Sequence, residues 1–529
     1  MNAPARAEQA GPPRQHLRPY QARALDGLRA AIAAALRRGE QARSLLVAPT
    51  GAGKTSIAAA MIDSAVARAK RIWFVAHRKE LIDQCSRRLD GQGVPHGVIM
   101  ASHPRFMPAL PVQVCSVQTI AARDLQELLA LLGGPPDIII VDETHLARAK
   151  SYAPFFSLFP KAVVIGLTAT PWRLDGKGLA ELYTSEVVAS TPAELEQLGW
   201  LARATGFAFD TPDLSGLHKR GGEYREEEAA KLMQATTIVG NVVEKWVEHA
   251  DDRRTVGFAV NVEHSKLLAA QFVDAGVPSE HLDGSTPKKD REAILRRIES
   301  GETKVLWNVN VLTAGWDCPL VECAILARPT LSVSLVLQMI GRAARPACRA
   351  CGRDINTTEP ACRHCGSLDL KRTFRIHDHA GCIQEHGLPN APRDYSLSSD
   401  VQKKKKGKRE EREAQQIRVC LKCYAMYPAE LDACPACGHA NPKRVRKIKH
   451  IDGEAISLEE AAQRGAAKKR AWVSDGQGYA HFLGLLAEAE RKGYNRAWVK
   501  IRFHRQMGFA PKAEWWDRWT RATSSTKEG

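Results

Sequence analysis

Residues Ser44–Ala67 read SLLVAPTGAGKTSIAAAMIDSAVA. A short apolar run of strand character leads into PTGAGKTS, and a helical pattern follows, which is the context a phosphate-binding loop requires. Glycines let the backbone curl so that its N–H groups face phosphates, and the start of a helix adds a favourable dipole. Thr50, Gly51, Ala52 and Gly53 form the candidate cradle; Lys54 would reach the β and γ phosphates of ATP, and the Thr55 hydroxyl would hold Mg²⁺. Ala48 stands where the G-x4-G-K-[ST] signature has its first glycine.

Outward from this loop, strand-like runs at Ser44–Ala48, Arg71–Ala76, Val112–Ser116, Asp137–Asp142 and Val163–Thr168 alternate with helical patterns. Continuous apolar strands separated by helices predict a parallel, doubly wound sheet. A second series starts near Thr205, with strands at Arg254–Val260, Lys304–Asn308 and Val321–Ala327 around helices at Lys231–Glu248 and Ser265–Ala275. The fold class is α/β, with two domains in tandem. The strand in DIIIVDETH delivers two acids to the sheet edge where ligands bind. Asp142 would hold Mg²⁺ through water, and Glu143 would polarise the attacking water.

The chain has 529 residues, enough for three or four domains at about 150 each. With 44% hydrophobic and 26% charged residues it is neither disordered overall nor fibrous. Lys and Arg total 76 against 59 Asp and Glu, a net charge of +17 that makes nucleic acid the leading partner. No apolar run approaches the ~20 residues of a membrane span, and the first 16 residues read as a flexible arm without a signal-peptide core. A cytoplasmic protein without a membrane partner is expected. In a reducing compartment, regularly spaced cysteine pairs suggest metal ligands.

Such pairs occur twice. Cys348, Cys351, Cys362 and Cys365 form CxxC, ten residues, CxxC, and Cys420, Cys423, Cys434 and Cys437 repeat that spacing. Four thiolates on two knuckles predict structural, tetrahedral Zn²⁺ without an open catalytic position. Cys85, Cys115, Cys318, Cys323 and Cys382 show no such spacing and are expected to be buried. Residues 401–450 carry 14 Lys or Arg against 5 acids, and their run KKKKGKREER at Lys403–Arg412 reads either as a solvated linker or as a nucleic-acid contact. The tail holds Trp472, Trp498, Trp515, Trp516 and Trp519 interleaved with Arg496, Lys500, Arg502, Arg505 and Lys512. These tryptophans fit either a small helical core or a base-stacking surface.

Eight motifs in order resemble a superfamily 2 DEAD/DEAH-box helicase: LRPYQARAL (Leu17–Leu25), APTGAGKT, VAHRKELIDQ (Val75–Gln84), SVQTI (Ser116–Ile120), DETH, LTATPWR (Leu167–Arg173), NVLTAGWDCP from Asn310, and LQMIGRAARP from Leu337. The resemblance spans both α/β domains and implies two RecA-like domains, with ATP in the cleft between them and a nucleic-acid strand across both. It assigns Arg18 and Gln21 to adenine, His145, Thr168 and Thr170 to coupling, and Gly315 and Asp317 to the motif linking both ligands. Gln338, Arg342 and Arg345 match QxxGRxxR, the arginines suiting a finger that acts on closure.

The phrase ARPTLSVSLVLQMIGRAAR, with HDHAGCIQEHG, PRDYSL and the second cysteine cluster, is similar to the bacterial RadD (YejH) group of repair-associated helicases and its prophage relatives. That resemblance implies DNA, single-stranded or branched, as partner, together with repair or recombination proteins. Cys348–Cys365 is an insertion where the family pattern runs on directly. An RNA helicase, a DNA-structure-binding adaptor and a restriction motor subunit are the alternatives; the last would need a nuclease partner. The expected domains are an arm (1–16), RecA-like domain 1 (17–204), RecA-like domain 2 (205–392) with an inserted ribbon (346–368), a basic linker (393–416), a second ribbon (417–442) and a basic, Trp-rich, mainly helical region (443–529).

Overall fold

A computed structural model describes residues 17–76, 79–101, 103–146, 149–173, 178–209, 212–313, 316–397, 417–440, 475–492, 496–507 and 510–524. The N-terminal arm, Gly315, the basic run Lys403–Arg412 and Trp472 lie outside the described residues, as do the side chains of Trp498 and Arg505.

The first domain is a seven-stranded, wholly parallel sheet of β1 (Arg43–Val47), β2 (Ile72–Ala76), β3 (Gly97–Ile99), β4 (Val112–Ser116), β5 (Ile138–Val141), β6 (Val163–Thr168) and β7 (Ser185–Val188). Its spatial order is β3-β4-β2-β5-β6-β1-β7. Successive side chains leave the sheet on opposite sides, so Leu46, Phe74 and Ile140 enter one core while Leu45, Val47, Trp73 and Val75 enter the other. Both faces are covered, which is why these strands read as continuous apolar runs.

The second domain adds β8 (Arg203–Ala208), the short pair β9 (Lys219–Arg220) and β10 (Glu223–Tyr224), and then β11 (Thr255–Phe258), β12 (Ser279–Leu282), β13 (Val305–Asn308) and β14 (Cys323–Leu326). β15 (Ala347–Cys348) and β16 (Leu370–Lys371) form the stem of the cysteine insertion; β17 (Thr373–Asp378), β18 (Ile417–Val419) and β19 (Ala425–Pro428) follow. The main sheet runs β12-β13-β11-β14-β17-β8-β19-β18. Its first six strands are parallel and its last two antiparallel. Thus the second cysteine ribbon is not a free-standing module: β19 pairs with β8 and extends the sheet.

Several elements differ from the sequence pattern. β3 has three residues, too few to show a period, and β7 alternates half-buried and exposed positions at a sheet edge. The insertion separates β17 from the strand it pairs with, β14. The helix expected over Lys231–Glu248 is two helices, Glu226–Met233 and Thr236–His249, broken at Gln234–Ala235. After β17 the chain returns to the first domain, where Tyr395 stacks on Trp172 at 5.6 Å.

Residues 444–529 form a separate compact unit. Its described helices are Asp475–Lys492, Arg496–Met507 and Ala513–Ser524. Phe482, Leu485, Leu486, Val499, Phe503 and Trp515 make its core, whereas Trp516 and Trp519 are only partly buried. The Arg496 guanidinium lies 5.8 and 5.1 Å from the Trp516 and Trp519 rings. Trp515 is therefore a core residue, whereas Trp516 and Trp519, under Arg496, stand at the rim. Among the described residues no helix is long and apolar enough to cross a membrane.

Gly257 in β11 lies against the Trp307 indole, which a Cβ would overlap. Gly257→Ala is expected to destabilise the second domain by about 1–3 kcal/mol, read as a lower urea midpoint for loss of near-UV dichroism.

Candidate nucleotide site and interdomain interface

A cavity of about 430 Å³ opens at the C-terminal edge of the first sheet, lined by Arg18, Gln21, Thr50, Gly51, Gly53, Lys54, Thr55, Asp142 and Glu143 from one side and Asp317, Arg342 and Arg345 from the other. The loop after β1 shapes it. Gly51 and Gly53 adopt φ of +86° and +79°, and a Cβ on Gly53 would come within 2.5 Å of Gln21 Nε2. Ala48 is fully buried and its N–H bonds Thr168 O at 2.9 Å, continuing β1. The position therefore asks for no left-handed residue, and the missing first glycine is without conformational consequence. Gln21 Nε2 and the Tyr20 hydroxyl both donate to Ala52 O, at 2.9 and 2.7 Å, fixing the loop to the first helix, Pro19–Arg37. Arg18 lies 4.2 Å over the Trp200 ring.

Behind the loop, Lys54 Nζ is 4.0 Å from Glu143 Oε1. Burial pushes the Asp142 carboxyl well above its usual range; the adjoining Glu143 charge adds to this and Lys54 opposes it. Glu143 sits at φ +45°, an uncommon conformation for a non-glycine residue, with its N–H donating to Asp142 Oδ1 at 2.9 Å. From Glu143 a buried polar chain crosses between the domains. His145 Nδ1 lies 3.4 Å from Glu143 Oε2 and 3.2 Å from Thr168 Oγ1, and His145 Nε2 meets Gln338 Nε2 at 2.6 Å. An amide N–H can only donate, so the network assigns an acceptor Nε2 and a protonated Nδ1 to His145. A second crossing joins Thr170 Oγ1 to Ser334 Oγ at 2.6 Å, and Ser334 Oγ donates to Trp172 O at 3.0 Å. Gly341 packs so closely that a Cβ would lie 2.5 Å from Thr50 Cβ.

The two arginines divide their contacts. Arg342 donates to Trp316 O and Thr313 O at 2.5 and 2.8 Å; burial lowers its pKa, while Glu143 raises it. Arg345 pairs with Asp317 and with Asp354.

Residues 14–173 match the family of type III restriction enzyme res subunits, and residues 236–347 match the helicase conserved C-terminal domain. The DNA 3'-5' translocase XPB2 of Sulfurisphaera tokodaii is 32% identical, over 58% of this chain and 75% of that protein. The chain belongs to the superfamily 2 DEAD/DEAH-type helicases. This helicase is also 29% identical to a 51.5 kDa protein of Lactococcus phage (isolate 7-9), over 81% of this chain and 87% of that one. The Saccharomyces cerevisiae helicase IRC3 is 28% identical over 62% of this chain and 49% of its own length, so the match spans about half of that relative. A fragment of an HsdR-type subunit of a Vibrio vulnificus type I restriction enzyme shares the fold, with TM-score 0.51 and 20% identity over 74% of this chain and 68% of that one. The helicase is a nucleic-acid-dependent ATPase.

Each cysteine set in the helicase is gathered so that its sulfurs lie within 4.8 Å of one another. Cys348–Cys365 and Cys420–Cys437 Sγ pairs are 3.6 Å apart, and Cys351–Cys362 and Cys423–Cys434 pairs 3.7 Å. A tetrahedral ion with bonds of about 2.3 Å needs edges of about 3.8 Å, whereas a disulfide needs about 2.05 Å. The spacing fits zinc. Against the penalty of burial, N–H groups of Cys351 and Ala350 and the neighbouring thiols bring the Cys348 thiol down to about 7, and Cys423 and Lys422 do the same for Cys420. The five unspaced cysteines are all buried.

The motifs left several cavity residues unnamed. Arg87 and Arg88 line it from the same face of the helix Lys79–Asp90 as Gln84, the last residue of the VAHRKELIDQ motif, and this i, i+3, i+4 spacing was a usable signal. Ser334, one turn before Gln338, was accessible by the same rule. Asp354 was not, because it reaches the cavity only through tertiary contact.

Removing one ligand of the second ribbon with Cys434→Ser is expected to lower the zinc-to-protein ratio by one and expose residues 417–440 to protease. Mass spectrometry of metal and fragments checks both.

Proposed function

We propose that this helicase is a DNA motor that couples ATP hydrolysis to translocation on, or remodelling of, single-stranded or branched DNA in repair or recombination. The observation that carries the coupling is the buried Glu143–His145–Gln338 chain, in which His145 lies 3.4 Å from the nucleotide-facing acid and is hydrogen-bonded to the second domain. In this reading Thr50, Gly51, Ala52 and Gly53 cradle the phosphates, Lys54 holds their charge, and Arg18 and Gln21 hold the adenine. Thr55 and Asp142, a hydroxyl and a partly buried carboxylate, suit a hard cation. Mg²⁺ supplies charge neutralisation at the phosphates when bound. Glu143 orients and deprotonates water; Arg345 and Arg342 neutralise the leaving charge; Asp317 and Gly315 join the nucleotide to the strand; His145, Thr168 and Thr170 transmit closure. The eight thiolates hold two structural Zn²⁺ ions.

DNA rather than RNA is supported by the RadD-group phrase at 327–345. A restriction motor is the second reading, favoured by the match of residues 14–173 to restriction res subunits. It differs in requiring a nuclease partner.

Lys54→Ala, Glu143→Gln and Arg345→Ala are each expected to reduce ATP turnover severely, the last by about 10³–10⁵. Turnover in Arg345→Ala within tenfold of wild type would remove that residue from the chemistry. Steady-state hydrolysis with matched single-stranded, duplex and forked DNA and with RNA tests the substrate: stimulation by DNA alone supports the reading, and indifference to every polymer overturns the motor. Neutralising Lys403–Arg412 is expected to flatten the log K against log[salt] slope by about 0.7–0.9 for each phosphate the run would otherwise neutralise.

A further inference from the structure

The inserted cysteine ribbon enters the nucleotide cavity. Asp354 lies between its two CxxC knuckles, is bridged to Ala347 at the stem, and lines the cavity beside Arg18 and Arg345. The Arg345 guanidinium is caught between two carboxylates. One end donates to Asp317; Nη2 donates to both oxygens of Asp354, at 2.7 and 2.5 Å. Arg18 Nη2 is 3.9 Å from the same carboxylate.

The ribbon is seated on the segment that joins the domains. Asn356 Nδ2 donates to Leu198 O at 2.9 Å, and Thr357 N–H donates to Gly199 O at 2.8 Å. Gly199 has φ +77°, and a Cβ there would overlap Asn356 Oδ1, so this close approach requires glycine. From the returning stem strand, fully buried Lys371 donates to Pro319 O at 2.7 Å and to Val321 O, bracing the loop that carries Asp317. Within the ribbon only Ile355 and Leu370 pack with Cys348 and Cys362. So small an apolar cluster cannot hold the insertion's shape by itself, which leaves the thiolate site to set where Asp354 stands.

We propose that the inserted four-cysteine ribbon is a latch on the arginine finger, with Asp354 as a positioning residue that competes with the γ-phosphate for the Arg345 guanidinium. The proposal rests on Arg345 being the group that meets the γ-phosphate. The Nη2 edge of this guanidinium reaches a phosphate only by giving up Asp354, and the Asp354 charge opposes a triphosphate in a cavity where Lys54 and the arginines outnumber the acids. Asp317 belongs to the same domain as Arg345 and moves with it. Asp354 is tied to the interdomain segment, so a shift of the ribbon against that segment releases the finger.

The test uses the full chain with Asp354→Ala and Asp354→Asn, measuring binding of a fluorescent non-hydrolysable ATP analogue and of fluorescent ADP, hydrolysis without nucleic acid, and zinc content. Asp354→Ala is expected to raise the preference for the triphosphate analogue over ADP on the order of tenfold, the worth of one freed charge-assisted hydrogen bond. Nucleic-acid-independent hydrolysis should rise with it while zinc is retained. In an Arg345→Ala background the same substitution should lose most of its effect, keeping only the part due to the Asp354 charge itself. Asn356→Ala, which loosens the seat without entering the cavity, should shift the preference in the same direction. An unchanged preference, or reduced basal hydrolysis with zinc retained, would overturn the latch. Failure of the wild-type protein to bind either nucleotide would overturn the nucleotide-site reading, a distinguishable result.

Discussion

The buried polar contact between Gln338 and His145, at 2.6 Å, is the constraint on which the arrangement of the two sheets depends. Both groups are almost wholly buried, as are Thr168, Thr170 and Ser334 around them. A buried donor or acceptor without a partner costs about 1–3 kcal/mol, so separating the domains is unfavourable unless water or a ligand replaces these bonds. The nucleotide cavity is finished by groups of the second domain only while the contact holds. Chemistry and domain position are thereby one equilibrium, which is what a motor requires.

The two cysteine ribbons share a spacing and differ in use. The second contributes β18 and β19 to the antiparallel edge of the second sheet, where Cys420 and Cys434 pack with Phe207, Phe209 and Tyr427. It pairs the outer side of β8 and moves the sheet edge to β18. The first is inserted directly after Arg345, on a two-strand stem, and its carboxylate lies in the cavity. One extends a sheet; the other places a carboxylate on Arg345.

Much of the site was legible because its determinants are local. Gly51, Gly53, Lys54 and Thr55 are consecutive or nearly so, and a turn that needs left-handed residues followed by a helix start is written in adjacent letters. The same holds for Asp142 and Glu143 at a strand end and for each CxxC knuckle. The helix break at Gln234–Ala235 and the edge strand Ser185–Val188 were not legible: neither Pro nor Gly marks the break, and a half-buried edge lacks the continuous apolar run of its neighbours.

By itself the sequence determined the α/β class, the two tandem domains, the glycine-bearing loop and the acids that share its cavity, and both four-cysteine sets, because each depends on periodicity or on spacings shorter than about one supersecondary unit. Only the tertiary structure decided which residue from 164 positions away completes a hydrogen bond, as Ser334 does for Thr170. It also decided that the second ribbon joins a sheet and that Asp354 grips Arg345. These outcomes follow from how two separately folded surfaces meet, and a contact between surfaces leaves no period in the chain.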